Sequence, residues 1–141
     1  MKGLFFTTVL LIILMPLNAS AFEMDVVKEP VCFVVKNEAN FSVTGSIVTD
    51  YYMRPDGAKS RHRSNFRMGP PGTKDDKGYP DDIAEFCTHG PFYPDRKIEF
   101  VLKTLFPVFS CMTRIDQGPI VIKGHRNEDD TGNVMWAECF E

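Results

Sequence analysis

Residues 41–53 read FSVTGSIVTDYYM, residues 54–57 read RPDG, and residues 58–68 read AKSRHRSNFRM. In the first run Phe41, Val43, Ile47 and Tyr51 share one parity, and Ser42, Thr44, Ser46 and Asp50 share the other. That two-residue period is the mark of a half-buried strand. Arg54-Pro55-Asp56-Gly57 is a strong turn signal: proline presets φ, aspartate can bond its own backbone, and glycine tolerates positive φ. The second run is then the return strand of a hairpin.

A four-residue loop would place Met53 opposite Ala58. Val43 then meets Met68, Gly45 lies under Phe66, Ser46 faces Asn65, Tyr52 faces Lys59 and Asp50 faces Arg61. An aromatic covering a strand glycine is a stabilising pair. The rival is a three-residue loop with a glycine bulge, which Pro-Asp-Gly also suits. It slips the pairing by one residue and mixes cations into the apolar face, which burial disfavours.

The return strand carries the sharpest chemical feature of the chain. Side chains alternate between the two faces of a strand, so Lys59, Arg61, Arg63, Asn65 and Arg67 share one face. Four cations stand in a row, about 7 Å apart, with no acid among them. Guanidinium groups bind phosphate, sulfate or carboxylate bidentately. Lys59, Arg61, Arg63 and Arg67 are therefore the candidate anion-binding residues. An anionic glycan, a lipid headgroup or an acidic protein would fit. A polar strand face can also be merely solvated, and basic residues protect edge strands.

Outward from the hairpin, residues 31–36 alternate as a first strand. Gly69 to Tyr79 is a polar, proline- and glycine-rich solvated loop. Asp82-Ile83-Ala84-Glu85 reads as a capped helix start, with Ile83, Phe86 and Cys87 on one face and Gly90-Pro91 as the stop. Residues 97–106 fit strand parity through Ile98, Phe100, Leu102 and Phe106. Residues 108–114 and 119–124 read as a hairpin about Ile115–Gly118, and residues 134–140 as the last strand. The expected fold is a mainly β, single-domain antiparallel sandwich or open barrel of about seven strands, with one short helix near 82–89.

The N-terminus predicts where this domain works. Lys2 is a short positive region, Leu4–Met15 is an apolar run broken only by Thr7 and Thr8, Pro16 ends it, and Ala19-Ser20-Ala21 supplies small residues at a cleavage site. That is the pattern of a secretory signal peptide over residues 1–21. The apolar run is short for a membrane span, which needs about 20 residues. The mature domain, residues 22–141, would be secreted or periplasmic, with no transmembrane segment after cleavage. The full chain has 16 Lys and Arg against 19 Asp and Glu, a net charge of −3. Such a mildly acidic domain is not a general nucleic-acid or membrane-surface binder, so any anion binding must come from a local patch.

In an oxidising compartment Cys32, Cys87, Cys111 and Cys139 become two disulfides. Four cysteines allow three pairings, and sequence does not choose among them. Placing Cys32 on the first strand and Cys139 on the last favours Cys32–Cys139 with Cys87–Cys111, because domain termini often lie close together. There is no C-x-x-C, so a zinc site is not expected.

Catalytic signals are weak. Cys87-Thr88-His89 puts a thiol near an imidazole, but a nucleophile would have to be reduced. His62, His89 and His125 with Asp50 or Glu128 match no metal-ligand spacing. Asp75-Asp76, Asp81-Asp82 and Glu128-Asp129-Asp130 lack the order of a calcium loop. There is no P-loop, G-x-S-x-G or G-x-G-x-x-G, so no cofactor is expected. The expectation is an exported binding module. The alternative is a small hydrolase using His62 with Asp50 or Ser64.

Overall fold

A computed structural model of the protein describes residues 24–129 and 131–141. The predicted leader and its cleavage point lie outside the described residues. The strands are β1 (Val31–Asn37), β2 (Val43–Met53), β3 (Lys59–Met68), β4 (Ile83–Thr88), β5 (Lys97–Lys103), β6 (Pro107–Arg114), β7 (Ile120–Arg126) and β8 (Asn133–Glu138). They form two four-stranded sheets packed as a sandwich, ordered β3-β2-β5-β6 and β4-β1-β7-β8. All pairings are antiparallel except β1 with β7, which run parallel.

The β2–β3 hairpin settles the register in two steps. At the tip, the Arg54 amide donates to Ala58 O and the Gly57 amide to Arg54 O, both at 2.9 Å, with Gly57 at φ +79°. This is the three-residue loop with a glycine bulge, and it places Tyr51 opposite Arg61 and Tyr52 opposite Ser60. Thr49 and Asp50 then stand against the single residue His62, and a bulge there restores the other register. Beyond it Val43 pairs with Met68, Gly45 with Phe66 and Ser46 with Asn65. Both expected registers therefore exist in one hairpin. The tip takes the rival three-residue turn in place of the expected four-residue loop, and the bulge keeps the apolar face inward. Phe66 lies against Gly45, where an added Cβ would sit 2.9 Å from the ring Cε1. The ring also stacks on Phe100 at 5.5 Å.

Residues 82–89 form no helix, which raises the strand count from seven to eight. Ile83–Thr88 is strand β4, paired with β1 along its whole length. Six residues cannot sustain a helix alone, because nucleation is costly. As a strand they carry Phe86 inward against Phe33 and Phe66, with ring centroids 5.8 Å away in each case. Asp82 caps no helix: its carbonyl accepts the Asn37 amide at 2.8 Å and its carboxylate the Gly72 amide at 3.1 Å.

A second correction concerns residues 108–124. β6 and β7 do not form a hairpin, because β6 pairs with β5 and β7 with β1 and β8. The link between them crosses from one sheet to the other, and buried Ile115 packs into the core on the way. The expected strand at 97–106 stops at Lys103, and Thr104–Phe106 turn the chain into β6.

The core between the sheets holds Val35, Ile120 and Ile122 from one side and Val43, Ile47, Met68, Ile98, Phe100 and Leu102 from the other. Asn37 is the polar exception, 2% exposed. Its amide nitrogen donates to Phe41 O at 3.0 Å and Gly69 O at 2.8 Å, and its side-chain oxygen accepts the Ala39 amide at 3.0 Å. Fully satisfied, it ties two connections to the end of the sandwich.

The disulfides join Cys32 to Cys87 and Cys111 to Cys139, not the pairing favoured from the sequence. First and last strands are not neighbours here, because β7 lies between β1 and β8. Cys32 and Cys87 are directly opposite on β1 and β4. Cys111 and Cys139 link β6 to the tail after β8, bridging the two sheets at one lateral edge. The Arg114 amide to Phe140 O and the Phe140 amide to Thr113 Oγ1, both 2.9 Å, seal the same edge.

Candidate functional site

The outer face of the β3-β2-β5-β6 sheet is assembled row by row from the register. Residues directly opposite one another share a face. One row runs Arg67–Thr44–Lys103, the next Asn65–Ser46–Val101–Ser110, the next Arg63–Val48–Glu99–Met112. Nearer the hairpin tip are the pairs Arg61–Tyr51, Lys59–Met53 and Lys97–Arg114. The four cations read from the sequence thus stand together, and the fold adds Lys97, Lys103 and Arg114 to the same face. Seven cations face one carboxylate within these strands, that of Glu99.

Most of the cations remain available. Lys59, Arg63 and Arg67 are exposed. Arg63 donates to Ser46 Oγ at 3.2 Å, and Lys103 Nζ to Asn65 Oδ1 at 2.8 Å. Neither bond spends a charge. Arg61 is more engaged. Its guanidinium contacts Glu99 at 3.0 Å and lies 5.1 Å above the Tyr51 ring centroid. Burial works against its charge, but the Tyr93 hydroxyl and the charges of Tyr51, Glu99 and Tyr93 outweigh it and raise its pKa. Arg114 is paired with Asp116 at 3.0 Å. Val48, Val101 and Ser46 point to this outer face yet are buried beneath the longer side chains around them. Tyr51, Met53 and Met112 are exposed among the cations.

The acid expected opposite Arg61 was Asp50. The bulge removes it: Asp50 shifts out of register, its amide donates to Pro91 O at 2.9 Å, and its carboxylate accepts the Tyr51 amide at 2.7 Å. Glu99 of β5 takes its place by reaching diagonally across β2. Lys59 likewise faces Met53 instead of Tyr52.

A separate cleft of about 340 Å³ opens between the free edges of β3 and β4. Phe33, Ile47 and Phe86 line it together with His62, Ser64 and His89. Of the two residues considered as partners for His62, Ser64 is among its lining residues and Asp50 is not. The His62 ring stacks on Tyr52 at 4.7 Å, and its backbone amide donates to Thr49 Oγ1 at 3.1 Å. Cys87 is oxidised, so it offers no thiolate beside His89. His125 lies on β7 against Trp136, with ring centroids 5.9 Å apart. Among the described residues, the one group with ligand atoms close enough for a metal is Cys32, Glu85 and Cys87, and both of its sulfurs are in the disulfide. Asp75 is used locally, accepting the Lys77 and Tyr79 amides at 2.9 and 2.8 Å.

No protein-family model, curated protein or solved structure matches the chain. Its chemistry therefore rests on its own residues. Among the described residues, no helix is long and apolar enough to cross a membrane. Two disulfides fit an oxidising compartment.

Proposed function

We propose that this protein is an exported binding module that holds polyanions on the outer face of its β3-β2-β5-β6 sheet. One observation carries the reading: Lys59, Arg61, Arg63, Arg67, Lys97, Lys103 and Arg114 share a face on which the strands supply one carboxylate, Glu99, and the turn after β6 a second, Asp116, in a chain whose net charge is −3. Solubility does not require such sorting, because an acidic protein is already charged. Like charges in a row repel one another, and a bound anion relieves that cost. The face is an open sheet surface, suited to extended ligands that exchange many weak contacts. Export is supported by the N-terminal leader pattern and the two disulfides.

Binding to heparin, used as a model polyanion, tests the reading. Affinity should fall steadily with added salt, since screening shortens the reach of exposed charges to about 8 Å at physiological ionic strength. Arg63→Ser with Arg67→Ser should weaken binding further while changing stability by no more than about 0.5 kcal/mol, as for other surface substitutions. Unaltered binding by a well-folded double variant would mean that the face is only solvated.

A further inference from the structure

We propose that the polyanion this face meets is an anionic lipid bilayer, and that the β5–β6 turn inserts Leu105 and Phe106 into it. The inference rests on the reading of the cationic face and adds a second, independent observation. Leu105 is 93% exposed and Phe106 76%, the two most exposed large hydrophobic side chains among the described residues. Val108, just beyond on β6, is 52% exposed.

The fold does not require these residue types there. The Thr104 amide donates to Phe106 O at 3.0 Å within this connection, a backbone contact that sets no requirement on the side chains of Leu105 and Phe106. Leucine and phenylalanine at such a tip add no core packing and expose apolar surface to water.

Their position gives the apolar tip its meaning. Lys103 directly precedes the turn and lies opposite Pro107. In the same cross-strand row stand Thr44 and Arg67, so a second cation lies about 10 Å away, two strand spacings across the sheet. The exposed apolar pair thus borders the cationic face. A soluble glycan could neutralise the cations but offers nothing to Leu105 and Phe106. A bilayer carrying anionic headgroups offers both a negative surface and hydrocarbon beneath it. Tyr51, Met53 and Met112, exposed among the cations, suit the same boundary.

Sedimentation of the disulfide-bonded protein with vesicles tests this. One set is phosphatidylcholine alone, the other includes phosphatidylglycerol, and heparin binding is measured in parallel. The protein should sediment with the anionic vesicles and stay in solution with the neutral ones. Leu105→Ser with Phe106→Ser should lower vesicle affinity at least about tenfold by removing the apolar contact, and leave heparin binding unchanged. Arg63→Ser with Arg67→Ser should weaken both, by about fivefold for each charge in the case of the vesicles. Phe106→Trp should give emission that shifts to the blue on adding anionic vesicles, beyond any shift given by Trp136 in the wild type. Heparin binding without vesicle binding would overturn the bilayer and leave the polyanion face standing. Failure to bind either would remove both readings. Vesicle binding indifferent to Leu105 and Phe106, or tip-dependent binding to polyglutamate instead of vesicles, would also overturn the proposal.

Discussion

The two outer faces of the sandwich obey the same alternation rule and differ in how they dispose their charges. On the β4-β1-β7-β8 sheet, Lys36 lies between Ile83 and Val121, and Val121 is opposite Glu138. Val34 is opposite Glu85, and Lys123 opposite Trp136. Two cations meet two carboxylates there, and Lys123 is paired with Glu38 from the turn after β1. Cations and carboxylates are balanced on that face. The other face, built from as many strands, has seven cations to one carboxylate within its strands, and Arg114 is paired with Asp116 from the turn after β6. Backbone geometry is common to both, so the imbalance belongs to the side chains chosen for one face.

The disulfides offer the largest test of this contrast, because neither lies among the residues of the cationic face. Replacing either pair with serine should cost about 2–4 kcal/mol. The bridge between Cys32 and Cys87 spans 55 residues and that between Cys111 and Cys139 spans 28, so loop entropy makes the first worth about 0.6 kcal/mol more. Thermal melts of the two serine variants should rank in that order. Both should bind heparin normally at temperatures where they remain folded. If either loses binding while folded, the faces are not independent.

A smaller effect compares the faces directly. Substituting serine for Lys59, Arg63 and Arg67 together should lower heparin affinity by at least about tenfold, or 1.4 kcal/mol. Serine at Lys36 and Lys123 should leave it unchanged. Equal losses from both sets would show that binding follows net charge and that the sorted face has no special role.

The smallest expected effect concerns the single salt bridge after β6. The hydrogen bond from Arg114 holds the Asp116 carboxyl below the usual aspartate range, and the same bond, with the charge of Asp116, raises Arg114. A depressed carboxyl stabilises the fold above its unfolded pKa and loses that contribution as pH falls through its folded pKa. The melting difference between the wild type and Arg114→Gln should therefore be steady from neutral pH to the ordinary aspartate range and close below it. Exposed pairs contribute little, so the difference should be small throughout. A gap that persists in strong acid would point to lost packing of the arginine stem.

Alternation made most strands of the sandwich legible, because a period of two sustained along a whole segment fits a strand and not a helix. Residues 83–88 were not legible in this way: Ile83, Phe86 and Cys87 satisfy a helical face, while Ala84, Phe86 and Thr88 satisfy a strand. The choice was made by β1, a partner about 50 residues earlier in the chain. Cys32 misled for a related reason, since chain order says nothing about which strand lies between two others. Arg61, Arg63 and Arg67 could be read as one face from their spacing alone. Lys97, Lys103 and Arg114 carry the same parity signal within their own strands, yet nothing local assigns those strands to the sheet of β3. Strand parity runs on from residue 97 to Phe106, so it hides Leu105 and Phe106, whereas β5 ends at Lys103.

The single parallel pairing also governs the order in which the molecule can be built. Val35 must wait for Ile120, and Cys32 for Cys87, so the first strand to arrive has no sheet partner until most of the chain has followed. The β2–β3 hairpin can close early, but Phe66 on its inner face stays uncovered until Phe86 arrives on β4. Contacts this distant in sequence make folding slow compared with chains of local contacts. A polypeptide threaded through a narrow passage N-terminus first would therefore remain unfolded behind the passage and on emerging from it, and would lock into one piece only as its last third arrived.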